Sequence, residues 1–460
     1  MEMGTKQRRT IFASVLIVLL VQLTFLALRT ILHGSSHFIV ARAHLLVNQQ
    51  LVMALGSYFI WAILSPAVNS ISDCTYLRSS RDRWRIICLQ DVFKALLCLF
   101  LALTHVCFLF YFFWVGDEPN LLALLSLISV AIYLHMIIFL IATACIHALG
   151  RFLLKFGFFA TFLRWMLVYE LVHRLIAVAM AVLVVLAGVW VAHSPPSVHL
   201  VEIPLHNLPQ SQIGFTLALI TDVHIGPTVG RTRVQQIVDL TNTLRPNVIA
   251  IAGDLTDGFV AHLSNAADPL RQFRAKYGIF FSTGNHEYLR GDVVEWFEYL
   301  RAIGIHPLHN EHVNIKLSDS TICVAGVDDL YAKRSQFDGH GMDYKKALDG
   351  CERNATVVML AHQPNAVSIM LDDPAAANTI DLVLSGHTHA GQMYIFVPVV
   401  YVLNAFVRGL YYDANSHTYV YVSAGVNYFG PPVKMFGIGD FLDLAKKVEE
   451  LLRMVTILRQ

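Results

Sequence analysis

The chain has 460 residues, 55% hydrophobic and only 15% charged, with a mean hydropathy of +0.54. It is too apolar for a wholly soluble protein, in which charged residues make up about a quarter, and long enough for two or three domains. A net charge of +1 gives no reason to expect nucleic acid or an acidic partner, and seven cysteines without a Cys-x-x-Cys pair encode neither a thiolate zinc cage nor a disulfide framework.

The apolar excess is confined to residues 1–193. About 20 apolar residues in a helix cross the hydrocarbon core of a bilayer, and the runs 10–28, 51–71, 95–115, 121–147 and 175–191 are long enough, the fourth so long that it would need tilt. Lys6, Arg8 and Arg9 precede the first run, as in a signal peptide. Its length exceeds a signal core and no small-residue cleavage site follows, so it reads as an uncleaved helix. The segment Phe152–Tyr169 is also apolar, but spanning would bury Lys155 and Arg164 at roughly 2.5–3.5 kcal/mol each near a helix centre. It reads as a helix lying in the interface. Five spans remain. None contains Asp or Glu, which favours an anchor in the lipid bilayer over a transport pathway.

Lys6, Arg8, Arg9, the arginines at 78, 81, 83 and 85, and Lys155, Arg164 and Arg174 fall on one side of this arrangement. The other side has Arg29, Arg42 and the acidic loop 116–120. Basic loops mark the cytosol, so an odd span count puts everything after residue 193 in a lumen or outside the cell. The glycosylation triplet Asn354-Ala355-Thr356 agrees with that side.

Residues 194–212 read as a tether, and 213–440 as a globular domain. Phe215–Ile220, Val248–Ala252 and Ile279–Ser282 are short buried strands alternating with helical patterns at 233–244, 269–274 and 293–303, which implies parallel strands with helices outside. Strands at 321–325, 356–360, 381–385 and 419–423 follow too closely for crossovers and predict antiparallel pairing. The expected architecture is two packed mixed sheets with flanking helices, an α+β four-layer (α/β/β/α) sandwich behind a multi-pass helical region. Residues 441–460 read as a C-terminal helix.

Five strand ends in this half carry His, Asp or Asn: Asp222-Val223-His224, Gly253-Asp254, Gly284-Asn285-His286-Glu287, Ala361-His362 and Gly386-His387-Thr388-His389. In α/β sheets, sites form beyond the carboxyl ends of strands, so these residues converge. Imidazole mixed with carboxylate and amide oxygen, without thiolate, suits Mn, Zn, Fe or Co and disfavours an all-oxygen Mg or Ca site. A carboxylate can bridge two ions about 3.5–4 Å apart, an arrangement that polarises a phosphoryl group and makes hydroxide from a bridging water for in-line attack.

Singly, such motifs are common in loops. Together and in this order they resemble the calcineurin-like metallophosphoesterase superfamily, and the resemblance covers about 213–440. Carried across position by position, it implies one divalent metal held by Asp222, His224, Asp254 and His389. A second would be held by Asp254, Asn285, His362 and His387, with Asp254 shared. It makes His286 the general acid and Asp257 the carboxylate that orients it. The implied activity is hydrolysis of a phosphate ester, and the anchor points to a membrane-borne one. The alternative is a non-catalytic metal-bound binding module on a multi-pass scaffold. His306, His309, His312, His340 and His417 read as surface or packing residues, and Asp328 and Asp329 as a solvated loop.

Overall fold

The computed structural model describes residues 5–32, 34–69, 80–112, 115–157, 159–205, 209–289, 292–335, 337–436 and 452–458. The N-terminal half consists of helices α1 (Thr5–Ile31), α2 (Gly34–Asn69), α3 (Ser80–Phe112), α4 (Leu121–Leu154), α5 (Ala160–Val168) and α6 (Glu170–His193). Within them Ile39–Pro66, Gln90–Phe110, Leu121–Leu154 and Glu170–His193 are long and apolar enough to cross a membrane, and Val15–Ile31 is a shorter apolar helix. The expected runs lie in α1, α2, α3, α4 and α6; residues 70–71 of the second and 113–114 of the third lie outside the described residues. Of the segment 152–169 expected in the interface, 152–154 end α4 and 160–168 form the nine-residue α5, which is mostly exposed and too short to span.

Helix α4 is central and packs on α2, α3 and α6. Gly56 of α2 makes this possible, because a Cβ there would overlap the Tyr133 hydroxyl. That hydroxyl donates to the Met53 carbonyl at 2.6 Å, so the phenol is satisfied in an apolar bundle. Ile60, Leu64, Leu101, Met136 and Leu140 fill the space around it.

Among the described residues, twelve strands form two six-stranded sheets. The first has the order β1 (Ser197–Ile203), β12 (Leu452–Leu458), β2 (Thr216–Ile220), β3 (Val248–Ala252), β4 (Ile279–Ser282), β5 (His306–Pro307). The second runs β10 (Gly409–Asp413), β11 (Thr418–Val422), β9 (Leu382–Ser385), β8 (Thr356–Leu360), β7 (Thr321–Gly326), β6 (Glu311–Lys316). Side chains alternate along each strand. Leu217, Leu219, Ala250, Val358 and Leu384 fill the layer between the sheets. Ala218, Ile249 and Phe281 face helices on one outer side, and Val357, Met359 and Val383 face helices on the other. The four-layer sandwich is therefore present.

Three expectations fail in detail. Strands β7, β8, β9 and β11 pair in parallel, not antiparallel. The short helices Tyr344–Leu348 and Pro364–Leu371 supply two of the crossovers, and only β6 and β10 turn back at the edges. Part of the expected tether is strand β1. Residues 452–458, expected as helix, are strand β12, which runs parallel to β2 and antiparallel to β1. A backbone edge left open beside β2 would have unpaired donors and acceptors, and pairing with β12 satisfies them.

The two halves are joined at the ends of α4 and α6. Arg231 N donates to Asp117 O at 2.8 Å, and the backbone N–H and hydroxyl of Thr232 both donate to Glu118. Lys434 N donates to Gly188 O at 3.0 Å, and Ala131, Val185, Met393, Val433 and Met435 form one shared apolar cluster. Arg42 lies over the Phe259 ring at 5.2 Å. Loop 116–120, Arg42 and the sandwich thus share one face of the helical bundle.

Candidate metal centre

The carboxyl ends of β2, β3, β4, β8 and β9 meet at the face toward the helical bundle. Four backbone and side-chain bonds stitch their loops together: Asp222 N to Gly253 O, His224 N to Asp254 O, His286 N to Asp254 Oδ1 and His387 N to Asp222 Oδ1. Asp222, His224, Asp254, His387 and His389 all adopt positive φ, from 47° to 69°. Such non-glycine geometry costs about 1–3 kcal/mol per residue and persists where the surroundings impose it. The glycine before Asn285 allows the closest approach, because a Cβ on Gly284 would fall on the Asp254 carboxylate and backbone nitrogen.

All nine expected site residues come together. His387 is half-buried and the other eight are buried. The ligating atoms of Asp222, His224 and His389 lie within 4.8 Å of one another, as do those of Asp254, His362 and His387. His389 Nε2 is 3.3 Å from Asp222 Oδ1, and His362 Nε2 is 3.1 Å from Asp254 Oδ2. A third overlapping group, His224, Asp254 and His286, joins the first two. Asp257 Oδ1 receives His286 Nδ1 at 2.5 Å and His224 Nδ1 at 3.1 Å. Both rings therefore turn Nε2 into the site. His362 Nδ1 donates to Ala252 O at 2.8 Å, which turns Nε2 to the Asp254 carboxylate; burial opposes charge on the ring, but Asp254 outweighs it and holds His362 well above the usual histidine range, so a cation held there would displace a proton.

The donor set fits divalent cations on two further counts. Asn285 Oδ1 is buried without a hydrogen-bond partner, an arrangement that is costly unless an acceptor of this kind is used otherwise. Protons are also unevenly shared. Burial, then the neighbouring His362, pushes His387 down to about 3, so it is a neutral ligand at pH 7. Burial and His224 hold His389 well below the usual histidine range. Burial opposes charge on His224, but Asp257 and Asp254 outweigh it and push it up to about 9. Burial likewise opposes ionisation of Asp257, yet His224 and His286 hold it well below the usual carboxylate range.

Two contributors had no role assigned from sequence. Glu287 is fully buried and accepts four backbone N–H groups: Leu255 and Thr256 on Oε1, Asp254 and Gly284 on Oε2. Its place in the Gly-Asn-His-Glu run was the available signal. Gln392 bonds the backbone at Phe429 and Pro431, and Phe429 packs edge-on against His286 at 4.6 Å. Asp328 and Asp329 are buried, which corrects the reading of a solvated loop. Asp328 pairs with His309 and His340, whereas Asp329 accepts from Gln363 beside His362. Cys323 and Cys351 form a disulfide that the cysteine count did not predict, because β7 and the turn after Leu348 bring their Cα atoms to 5.7 Å.

Residues 215–391 match the family model described as calcineurin-like phosphoesterase. A metallophosphoesterase of Caenorhabditis elegans is 42% identical over 88% of this chain and 89% of its own length. The chain belongs to the calcineurin-like phosphoesterase family. Two relatives described as a transmembrane protein with metallophosphoesterase domain agree. The Danio rerio protein is 39% identical over 86% of this chain and 87% of its own length, and the Bos taurus protein 37% over 84% of each. As a metallophosphoesterase the chain is a metal-dependent hydrolase of phosphoric esters, with apolar helices long enough to cross a membrane.

Proposed function

We propose that this metallophosphoesterase is anchored by five spans and hydrolyses a phosphate ester at two divalent cations. Asp222, His224, Asp254 and His389 hold one, and Asp254, Asn285, His362 and His387 the other. The observation that carries the reading is the pair of three-residue groups, Asp222-His224-His389 and Asp254-His362-His387, linked through the overlapping group His224-Asp254-His286, with Asn285 Oδ1 buried and unpartnered. When bound, two such cations supply positive charge to the phosphoryl oxygens and lower the pKa of water.

The protein's own residues do the rest. Asp257 fixes His286 through Nδ1, so Nε2 presents a proton to the leaving alkoxide. The P–O bond to that alkoxide breaks as the oxygen of water bonds to phosphorus. His286 also belongs to one ligand group, but its 2.5 Å bond to Asp257 supports the acid role. Glu287 holds Asp254 and Gly284 in register by their backbone nitrogens. The domain lies in a lumen or outside the cell: the Cys323–Cys351 disulfide, the exposed turn at Asn354 and the basic loops on the opposite side all support this.

The test is turnover of bis-p-nitrophenyl phosphate by the purified full-length protein with Mn2+. Asp254→Ala should abolish it. His286→Ala should slow esters of poor leaving groups much more than those of p-nitrophenol, because only the former need a proton. Equal turnover by wild type and Asp254→Ala would refute the assignment.

A further inference from the structure

A cavity of about 520 Å3 runs from the metal centre into the helical bundle. That volume lies within the roughly 300–1,000 Å3 of small-molecule sites. One end is formed by His387 and His389, and the other by Met53 of α2, Cys107 and Phe108 of α3, and Leu127 and Val130 of α4.

Its wall is apolar in effect as well as in composition. Three of the polar side chains along it are turned to other partners, while Gln49 is exposed. The Thr388 hydroxyl donates to Val407 O at 2.5 Å, the Gln392 amide is occupied by the backbone at 429 and 431, and the Tyr133 hydroxyl by Met53 O. A soluble phosphate ester would gain nothing from such a chamber, since its polar substituent would be desolvated there without a partner.

The mouth opens sideways. Val52, on α2, and Val399, on the helix Val397–Leu403, both line the cavity and are exposed. The helix Val397–Leu403 has no buried side chain, although its sequence is Val-Pro-Val-Val-Tyr-Val-Leu; Val402 is 83% exposed. An apolar helix without protein cover belongs against lipid. Trp190 near the end of α6 packs on Phe436 at 5.7 Å, and Tyr394 donates to Phe436 O. Aromatic side chains of this kind gather at the membrane–water boundary, which sets that boundary at the level of the cavity mouth.

We propose that the cavity holds the alkyl chain of an amphiphilic phosphate ester, drawn sideways from the surrounding leaflet between α2 and the helix Val397–Leu403, with its phosphate at His387 and His389. The substrate class is a phospholipid or another single phosphate-linked amphiphile. The inference rests on the hydrolase reading above and names the substrate of that same site.

The experiment uses the full-length, Mn2+-loaded protein in nanodiscs and a series of alkyl p-nitrophenyl phosphates from ethyl to octyl. Each buried methylene is worth about fourfold in kcat/KM, so six should give on the order of a hundredfold even when burial is partial. Val130→Trp fills the chamber. It should reduce the octyl-to-ethyl ratio to near one and leave ethyl ester turnover unchanged, which also reports folding; Met53→Trp repeats the test should Val130→Trp lose the ethyl ester. Independently, a non-hydrolysable alkyl phosphonate with a diazirine at its chain end should label α2 or α4 near Met53 and Val130 in the wild type. Equal kcat/KM for ethyl and octyl esters, or labelling elsewhere, overturns the proposal and leaves the hydrolase reading intact. Labelling at α2 or α4 without hydrolysis of any ester overturns the hydrolase reading and retains the cavity.

Discussion

Glu287 is the residue on which the geometry of the shared carboxylate depends most, and Glu287→Gln isolates that dependence. Its carboxylate accepts from Leu255 N at 2.8 Å, Thr256 N at 3.1 Å, Asp254 N at 3.1 Å and Gly284 N at 2.7 Å. Glutamine keeps the shape but has one acceptor oxygen, so its NH2 group must face two of these N–H groups. Each buried donor left without an acceptor costs about 1–3 kcal/mol, giving a total of about 2–6 kcal/mol. A domain of this size shifts in Tm by about 2–4 °C per kcal/mol, so a fall of at least about 4 °C is expected in full-length protein followed by tryptophan fluorescence. The loop that carries Asp254 should move with it, and a displacement of about 1 Å costs on the order of a hundredfold in rate. A variant with wild-type Tm, full metal content and full turnover would refute the claim that this carboxylate holds the loops.

Gly284→Ala places a methyl group on the Asp254 carboxylate, and both metal content by elemental analysis and turnover should fall by more than tenfold at unchanged helix content. In metal-free protein His224, with its pKa at about 9, and His362, held above the usual histidine range by Asp254, are protonated at pH 7; binding Mn2+ through both Nε2 atoms should release about two protons, read by calorimetry in two buffers of different ionisation enthalpy. The sign for folding follows from the same shift: a raised pKa stabilises metal-free protein fully below about pH 6.5, and the contribution is lost as pH rises through about 9. Asn354 is exposed in a turn, so protein from eukaryotic cells should show a glycosidase-sensitive mobility shift that Asn354→Gln removes. No shift, together with protease digestion of the domain from the cytosolic side, would refute the lumenal placement.

The meeting of the expected site residues in one place and the apolar N-terminal half were legible in the sequence. Asp222, His224, Asp254, His362, His387 and His389 were legible because each follows a short apolar strand, and parallel strands covered by helices deliver such residues to one end. The membrane half was legible because hydrocarbon demands a continuous apolar helix, a local property of sequence. Pairing direction in the second sheet was not local: the helices at 344–348 and 364–371 are short enough to pass for loops, yet they let β7, β8 and β9 run parallel. The fate of 452–458 depended on an open place beside β2, more than 230 residues earlier in the chain.

Only the tertiary structure decided the rest. Positive φ at five expected metal-binding residues comes from loops held against one another, as when Asp222 receives His387 N across 165 residues. Glu287 acquires its role only where the loops after β3 and β4 touch. The chamber between Val130 and His389 exists because α4 and α6 support the loop after β9. No segment of sequence encodes a space between two segments; it appears when separately legible halves are packed.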